Sequence, residues 1–230
     1  MMPGILYAIP TPLGGTAADA LPVSALATVR TLRDFVAENA KTARAFLKNV
    51  DMPCPIQDLR ISTLEKDVSS HVKTLEAGSA VGLLSEAGCP AIADPGALLV
   101  DAAHAAGIRV VPLVGPSSIV LALMASGLEG QRFAFCGYLP RESEERRKKV
   151  RELEARSRRE HETQIFIETP YRNDQMLSAL IEACAPETRL CIASDLTLET
   201  ESIRTGSIAR WRKAPTTIGK RPTVFLLLSG

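Results

Sequence analysis

The sequence of 230 residues carries 27 basic and 26 acidic side chains, and 46% of its residues are hydrophobic while 4% are aromatic. This composition indicates globular cores built from aliphatic side chains and argues against a disordered chain. The near-zero net charge excludes the whole-molecule positive field of strongly basic nucleic-acid-binding proteins. It leaves room for a local basic surface.

Cysteine and histidine usage bears on cofactors and compartment. The five cysteines are scattered singly, without the Cys-x-x-Cys pairs of zinc or redox sites. The three histidines lie far apart in sequence, so we expect surface positions and no metal site. No segment reaches the run of about 18 to 20 apolar residues that a membrane span needs, and the N-terminus does not resemble a signal peptide. These features predict a reduced, cytoplasmic protein that does not enter a membrane.

The first half of the chain alternates short apolar runs with segments of helical spacing. The runs predict strands buried on both faces at Ile5–Ile9, Asp34–Glu38, Leu59–Leu64, Ala80–Leu84 and Val110–Val114. Helices are predicted at Pro22–Arg33, Thr42–Val50, Asp67–Ala77 and Gly96–Ala106. This alternation indicates βαβ crossovers and a mainly parallel sheet, with ligands binding at the carboxyl ends of its strands.

A change of pattern divides the chain near residue 114. Two prolines and a glycine between residues 112 and 116 predict a junction, with an N-terminal α/β domain over 1–114 and a second domain over 115–230. Two helical stretches and five strands predict a mixed α+β second domain, the strands being Phe133–Leu139, Thr163–Glu168, Leu190–Asp195, Glu201–Thr205 and Thr223–Ser229. The segment Arg141–His161 carries nine basic residues against six glutamates, which favours a solvated helix or mobile arm over an RNA-binding patch.

Two loops of the first domain have ligand-binding features. The sequence IPTPLGG after the first strand is rigid and free of bulky side chains, although it is equally interpretable as a plain turn. The longer loop LSEAGCPAIADPG has small residues at Ala87 and Gly88 that would let main-chain groups approach a ligand. Glu86 or Asp94 could accept hydrogen bonds from an amino group or from ribose hydroxyls, while Asp94 before Pro95 is more typical of a helix N-cap.

A third loop joins the two predicted domains, and it completes a set of motifs that resembles a known family. Ser117 and Ser118 precede an apolar helix at Ile119–Met124, where Ser117 is equally interpretable as an N-cap. The motifs, in chain order, are IPTPLGG, SEAGCPAIADPG, VPLVGPSSIVLALMASGL, FCGYLPRES, FIETPYRN and SDLTLETESIRTGSI. Their order and approximate spacing resemble the tetrapyrrole (corrin and porphyrin) methylases over nearly the whole chain. Within that superfamily the chain looks most like the ribosomal RNA small-subunit methyltransferase I branch.

The resemblance implies a two-domain α/β methyltransferase that binds S-adenosylmethionine in a cleft between its domains, generally as a homodimer. The cofactor-binding residues predicted from the loops and from the resemblance are Leu13, Ser85, Glu86, Ala87, Gly88, Cys89, Ile92, Ser117, Ser118, Ile119, Glu168, Leu196 and Thr223. Methyl transfer requires collinear positioning of the reacting atoms, and a hydroxyl acceptor also needs a base. Glu38 and Glu168 are the candidate bases, although Glu168 could equally be a structural partner of Arg172.

Three departures from the ribosomal branch leave the substrate open. The chain has Gly14-Gly15 in place of Gly-Asn, residues 37–41 read AENAK in place of C-E-D-T-R, and residues 220–223 read KRPT where the branch has Lys-Gly-Glu. These changes are expected around the substrate side of the cleft. Three functions remain compatible with the sequence: 2′-O-methylation of cytidine in ribosomal RNA or the small ribosomal subunit, methylation of a small molecule or tetrapyrrole, and non-catalytic binding of RNA or a ligand.

Overall fold

The computed structural model describes residues 3–214 and 216–230. The chain forms two compact units, an N-terminal unit that ends at Ser117 and a C-terminal unit that begins at Ser118.

The N-terminal unit is built on a five-stranded parallel sheet. Its strands are β1 (Ile5–Ile9), β2 (Asp34–Ala37), β3 (Arg60–Thr63), β4 (Val81–Leu84) and β5 (Arg109–Pro112). They lie in the order β3-β2-β4-β1-β5, and each neighbouring pair is parallel. The predicted parallel sheet is therefore confirmed, and each predicted strand overlaps an observed one. The edge strands β3 and β5 are partly exposed, so their predicted burial on both faces is wrong.

Helices cover both faces of this sheet. They are α1 (Ala17–Ala20), α2 (Val23–Thr31), α3 (Ala40–Asn49), α4 (Ser69–Glu76) and α5 (Ala97–Ala105). Successive strand residues alternate between the faces, so that Phe35 packs in one core and Val36 in the other. The short α1 was not predicted because four residues do not display a helical period. His71 in α4 is buried, so its expected surface position is wrong.

The C-terminal unit is an α+β domain with five strands, as predicted, and these strands form one mixed sheet. Its strands are β6 (Phe133–Tyr138), β7 (Thr163–Glu168), β8 (Arg189–Ser194), β9 (Ser202–Ser207) and β10 (Thr223–Leu228), in the order β6-β7-β10-β8-β9. Only the β6–β7 pair is parallel. The helices are α6 (Ser118–Ser126), α7 (Ser143–Glu160), α8 (Asn173–Ala183) and α9 (Ile208–Lys213), of which the short α9 was not predicted.

The charged segment, predicted to be a solvated helix or a mobile arm, forms the regular helix α7. It is a regular helix of 18 residues whose Val150, Leu153 and Ser157 are buried. Their spacing of three and four residues places them on one helical face. Ser157 Oγ also accepts a hydrogen bond from the main-chain nitrogen of Ser229 at 2.9 Å. A narrow apolar stripe therefore anchors this helix, although charged residues occupy most of its positions.

The described residues contain no helix long and apolar enough to cross a membrane. Within the same residues, no group of three or more His, Cys, Asp or Glu side chains is arranged to hold a metal ion.

Candidate functional site

The loops after β1 and β4 are joined by main-chain hydrogen bonds. Thr11 donates from its nitrogen to the Gly88 oxygen at 2.9 Å, and Gly88 donates back to the Thr11 oxygen at 3.0 Å. These loops follow adjacent parallel strands, so both lie at the carboxyl edge of the sheet. The sequence predicted both loops, but this pairing between them depends on sheet order and has no local signal.

Ser85 fixes the turn that presents Gly88. The Ser85 hydroxyl donates to the Gly88 oxygen at 2.6 Å, and its Oγ lies 3.3 Å from Thr11 Oγ1. Gly88 has φ +83°, and a Cβ there would lie 3.3 Å from Leu13 Cδ2. The structure therefore brings the predicted residues Leu13, Ser85 and Gly88 together, and the position of Gly88 favours glycine both for its backbone angle and for its neighbour.

The loop after β5 packs against the other two loops. Cys89 donates a thiol hydrogen bond to the Pro116 oxygen at 3.4 Å. Burial raises the pKa of the Cys89 thiol, which keeps it in the protonated, donating form. A Cβ at Gly115 would lie 2.5 Å from Pro10 Cβ, so this close approach between the first and third loops requires glycine. Three loops from separate parts of the sequence thus contact one another at this edge of the sheet.

The loop after β4 also contains strained backbone. Ala91 and Ala93 have φ of +65° and +63°, a region that non-glycine residues seldom adopt. Such strain is found preferentially at functional sites. Ile92 lies between them and is 51% exposed, and Ala87 on the same loop is also exposed. The loop therefore presents two predicted cofactor-binding residues to the outside instead of to the core of its own unit.

Carboxylates surround this edge of the sheet. Glu38 follows β2 and is exposed, and Glu86 Oε1 lies 2.5 Å from Thr42 Oγ1. Burial, followed by the negative charges of Glu38 and Glu86, raises the pKa of Asp94. The interpretation of Asp94 as an N-cap is wrong, because α5 begins one residue after Gly96 and has no side-chain cap. A concentration of negative charge of this kind favours a cationic ligand.

The departure over residues 37–41 has a local structural role. Asn39 caps α3, its side-chain oxygen accepting a hydrogen bond from the Lys41 nitrogen at 2.9 Å. Asparagine is one of the residues that best satisfy the free N–H groups at a helix start. The substituted motif therefore still places Glu38 between the end of β2 and a capped helix.

In the C-terminal unit, buried polar residues lie in register across three strands. Thr223, at the start of β10, is opposite Glu168 of β7 on one side and Ser194 of β8 on the other. The Thr223 and Ser194 hydroxyl oxygens are 2.9 Å apart. Asn173, at the start of α8, donates from Nδ2 to the Gly219 oxygen at 2.9 Å and to Thr223 Oγ1 at 3.4 Å. Sequence reasoning found Glu168 and Thr223 but missed Ser194, which strand register places opposite Thr223, and Asn173, which the tertiary position of α8 brings to Thr223.

Glu168 has one satisfied and one unsatisfied oxygen. Its Oε1 accepts from Arg172 Nε at 3.0 Å and from the Thr169 nitrogen at 2.6 Å. This ion pair with Arg172 was one of the two predicted roles of Glu168. Its Oε2 is buried and has no hydrogen-bond partner among the described residues, and the same holds for Asn173 Oδ1. Unpaired buried acceptors are costly, and in native structures they are usually satisfied by a donor from protein, water or a ligand.

The remaining predicted residues lie at the ends of elements. Leu196 is buried in the segment between β8 and β9. Ser118 and Ile119 begin α6, and Ser117 ends the N-terminal unit. All four residues therefore lie on loops or at the ends of secondary-structure elements, where ligand-binding residues are common.

Comparison with known proteins identifies the family. The model of the Tetrapyrrole (Corrin/Porphyrin) Methylases matches residues 6–211. The chain belongs to this family. It is 34% identical over 207 residues to the ribosomal RNA small subunit methyltransferase I of Xylella fastidiosa, a match that covers 90% of this chain and 74% of that protein. It is 32% identical over 206 residues to the protein of the same name from Bacillus subtilis, covering 90% of this chain and 68% of the relative.

Solved structures show the same fold. The methyltransferase CobJ matches with a TM-score of 0.64 and 20% identity, covering 100% of this chain and 95% of that one. Diphthine synthase matches with a TM-score of 0.65 and 16% identity, covering 98% and 90%. The predictions of fold, family and cofactor are confirmed: the protein is an S-adenosylmethionine-dependent methyltransferase.

Proposed function

We propose that this methyltransferase transfers the methyl group of S-adenosylmethionine to the 2′-hydroxyl of a cytidine in small-subunit ribosomal RNA. The observation that carries the proposal is the likeness, at 34% and 32% identity, to proteins named ribosomal RNA small subunit methyltransferase I over 90% of the chain. We further infer that it acts as a homodimer, as the family resemblance implies, and that it is cytoplasmic, as its scattered cysteines suggest.

The N-terminal unit suits a cationic cofactor. When bound, S-adenosylmethionine supplies an electrophilic methyl group on a positively charged sulfur. Glu38, Glu86 and Asp94 surround the three joined loops with negative charge that such a ligand would offset. Leu13, half-buried beside Gly88, offers an apolar contact. The main chain from Ser85 to Cys89, together with Ile92, completes the proposed cofactor-binding surface of this unit.

The C-terminal unit supplies hydrogen-bond acceptors for the cofactor. The buried Oε2 of Glu168 and Oδ1 of Asn173 have no protein donors among the described residues, so N–H or O–H groups of the cofactor would satisfy them. Thr223 lies opposite Glu168, and Leu196 follows β8 by two residues. Ser117, Ser118 and Ile119, around the start of α6, are the remaining proposed contacts.

Glu38 is the stronger candidate base of the two glutamates. Its carboxylate is exposed at the carboxyl edge of the parallel sheet, where it can reach a substrate hydroxyl. The Glu168 side chain is fully buried and pairs with Arg172, so we assign it to cofactor binding and not to proton transfer. A positioned carboxylate that accepts the 2′-hydroxyl proton is expected to raise the rate by about 10²- to 10⁴-fold, the typical contribution of a general base.

Transfer of labelled methyl groups tests the proposal. Purified protein with labelled S-adenosylmethionine is offered small-subunit ribosomal RNA, assembled small subunits and a small-molecule extract. We expect label at the ribose of one cytidine in RNA or in subunits. Label that enters only small molecules would replace the proposal with the small-molecule alternative. Binding of the cofactor with no label transferred to any of these substrates would instead favour the non-catalytic binding function.

A further inference from the structure

We infer that a pocket on the C-terminal unit binds a phosphate group of the RNA backbone. The pocket has a volume of about 230 Å³ and lies at the junction of β9 and α9. Its lining residues are Arg204, Thr205, Gly206, Arg210, Trp211 and Ala214. The inference rests on the proposed RNA substrate and adds to it a place where that substrate is held.

The pocket positions one of its arginines on a fixed aromatic platform. The Arg204 guanidinium carbon lies 4.9 Å from the centre of the Trp211 ring. Trp211 is only 5% exposed, and its Nε1 donates to the Leu190 oxygen at 3.0 Å. Stacking on a buried indole restricts the arginine side chain before any ligand arrives, which lowers the entropic cost of binding. Two guanidinium groups, from Arg204 and Arg210, then offer the planar donor geometry that phosphate oxygens match.

The positive charge of this pocket is uncompensated. No aspartate or glutamate lines it, and neither arginine forms a salt bridge with any residue in 3–214 or 216–230. The neighbouring Arg212 differs, because its guanidinium donates to the Ile181 and Cys184 oxygens at the end of α8. Arg212 therefore has a structural role, whereas Arg204 and Arg210 keep their hydrogen-bond donors available.

Helix α7 is the competing basic surface, and its ion pairs argue against it. Five of the eight salt bridges among the described residues involve this helix. Arg147, Lys149, Arg156 and Arg159 each pair with a glutamate. The segment Ser202–Lys213, by contrast, contains four basic residues and no acidic one. The whole chain has a net charge of only +1, so this local excess of positive charge is the surface expected to attract phosphate.

The salt dependence of RNA binding tests the inference. The double variant R204Q/R210Q is compared with wild type and with R151Q/R159Q, a control that removes two exposed arginines from α7. Affinities for a small-subunit ribosomal RNA transcript are measured between 50 and 200 mM salt. Over this range, a protein that contacts several phosphates loses affinity on the order of 10³-fold. Titration with S-adenosylmethionine confirms that each variant retains a folded cofactor site.

We expect R204Q/R210Q to bind RNA at least about tenfold more weakly, with the slope of log affinity against log salt reduced by about 0.7 to 0.9 per lost contact. The loss should be equal for polyuridine of the same length, because phosphate contacts do not read bases. Inorganic phosphate should compete with RNA on wild type and not on the variant. Unchanged affinity and slope, or an equal loss in R151Q/R159Q, would overturn the inference while wild-type methyl transfer to RNA still supports the proposed function.

Discussion

Arg221 holds Asp195 at the start of the segment that carries Leu196: Arg221 Nε donates to Asp195 Oδ2 at 2.6 Å. Asp195 follows β8 with a φ of +52°, and its nitrogen donates to the Pro222 oxygen at 2.9 Å. Thr200 Oγ1 donates to the same carboxylate oxygen at 2.9 Å. Arg221 belongs to the segment where the chain departs from the ribosomal branch. That departure therefore has a structural role beside a predicted cofactor contact.

We predict that Asp195→Asn destabilises the protein at neutral pH but not in acid. Burial alone would raise the pKa of Asp195, but hydrogen bonds from Arg221 and Thr200, with the charge of Arg221, lower it overall. A lowered carboxyl pKa stabilises the fold above the unfolded value, about 3.9, and this contribution is lost as pH falls through the folded value. The partly exposed pair is worth about 0.5 to 1 kcal/mol at pH 7.

Urea unfolding at a series of pH values from 7 to 3 measures this difference. Lys220→Gln is the matched control, because it removes a charge next to Arg221 from a side chain that lies 5.0 Å from the Tyr171 ring centre and outside the pair. For Lys220→Gln, the difference in the free energy of unfolding from wild type should not vary with pH. An Asp195→Asn penalty that is equal at pH 7 and pH 3 would show that the ion pair is not its source.

Gly88→Ala is predicted to damage both stability and cofactor binding. The added methyl group would lie 3.3 Å from Leu13 Cδ2 in a backbone of φ +83°. The left-handed conformation costs a non-glycine residue about 1 to 2 kcal/mol. Displacement of Leu13 should in addition weaken S-adenosylmethionine binding by about tenfold. Thermal unfolding and calorimetric titration measure the two effects.

Gly15→Ala separates the two causes. Gly15 has a similar φ of +76°, but an added Cβ would meet nothing within 4 Å. It should therefore show the backbone cost with near-normal cofactor affinity. If the two variants bind the cofactor equally well, contact with Leu13 has no part in binding.

The sequence predicted those parts of the fold that have a local signal. The strands of the parallel sheet are short apolar runs, and the loops after β1 and β4 stand out by their proline and glycine content. The pairing of Thr11 with Gly88 could not be predicted, because it depends on β1 and β4 being neighbours in the sheet. Ser194 was missed for the same reason, since strand register places it opposite Thr223. Asn173 was missed because the tertiary position of α8 brings it to Thr223. The buried stripe of α7 was missed because only two aliphatic residues mark it.

Glu168→Gln is predicted to weaken both folding and cofactor binding. The substitution replaces one carboxylate oxygen by an amide group, which either faces Arg172 or donates where Oε2 would accept. Removing one partner of a buried ion pair costs about 3 to 5 kcal/mol. The Glu168 side chain is fully buried and that of Arg172 is 19% exposed, so a value at the lower end is expected. Denaturant unfolding and titration with S-adenosylmethionine provide the two readouts.

The double variant E168Q/R172M distinguishes a structural role from a binding role. Removing both charges and filling the space with an apolar side chain should restore much of the stability, since no buried charge is left unpaired. Cofactor affinity should stay low if Oε2 accepts a hydrogen bond from the ligand. Recovery of both stability and affinity would mean that Glu168 serves only to pair with Arg172.

Glu38→Gln is predicted to lower the rate constant of methyl transfer by about 10²- to 10⁴-fold without loss of stability. Glu38 is exposed, so the neutral amide removes the proton acceptor without burying an unpaired group. It also removes a negative charge that helps to raise the pKa of Asp94, so the pKa of Asp94 should fall toward that of an ordinary aspartate. Single-turnover methyl transfer to ribosomal RNA at several pH values measures the first effect. Glu65→Gln, an exposed glutamate after β3, is a matched control and should retain the wild-type rate. A Glu38→Gln enzyme with the wild-type rate constant and an unchanged pH profile would assign the proton transfer to another group.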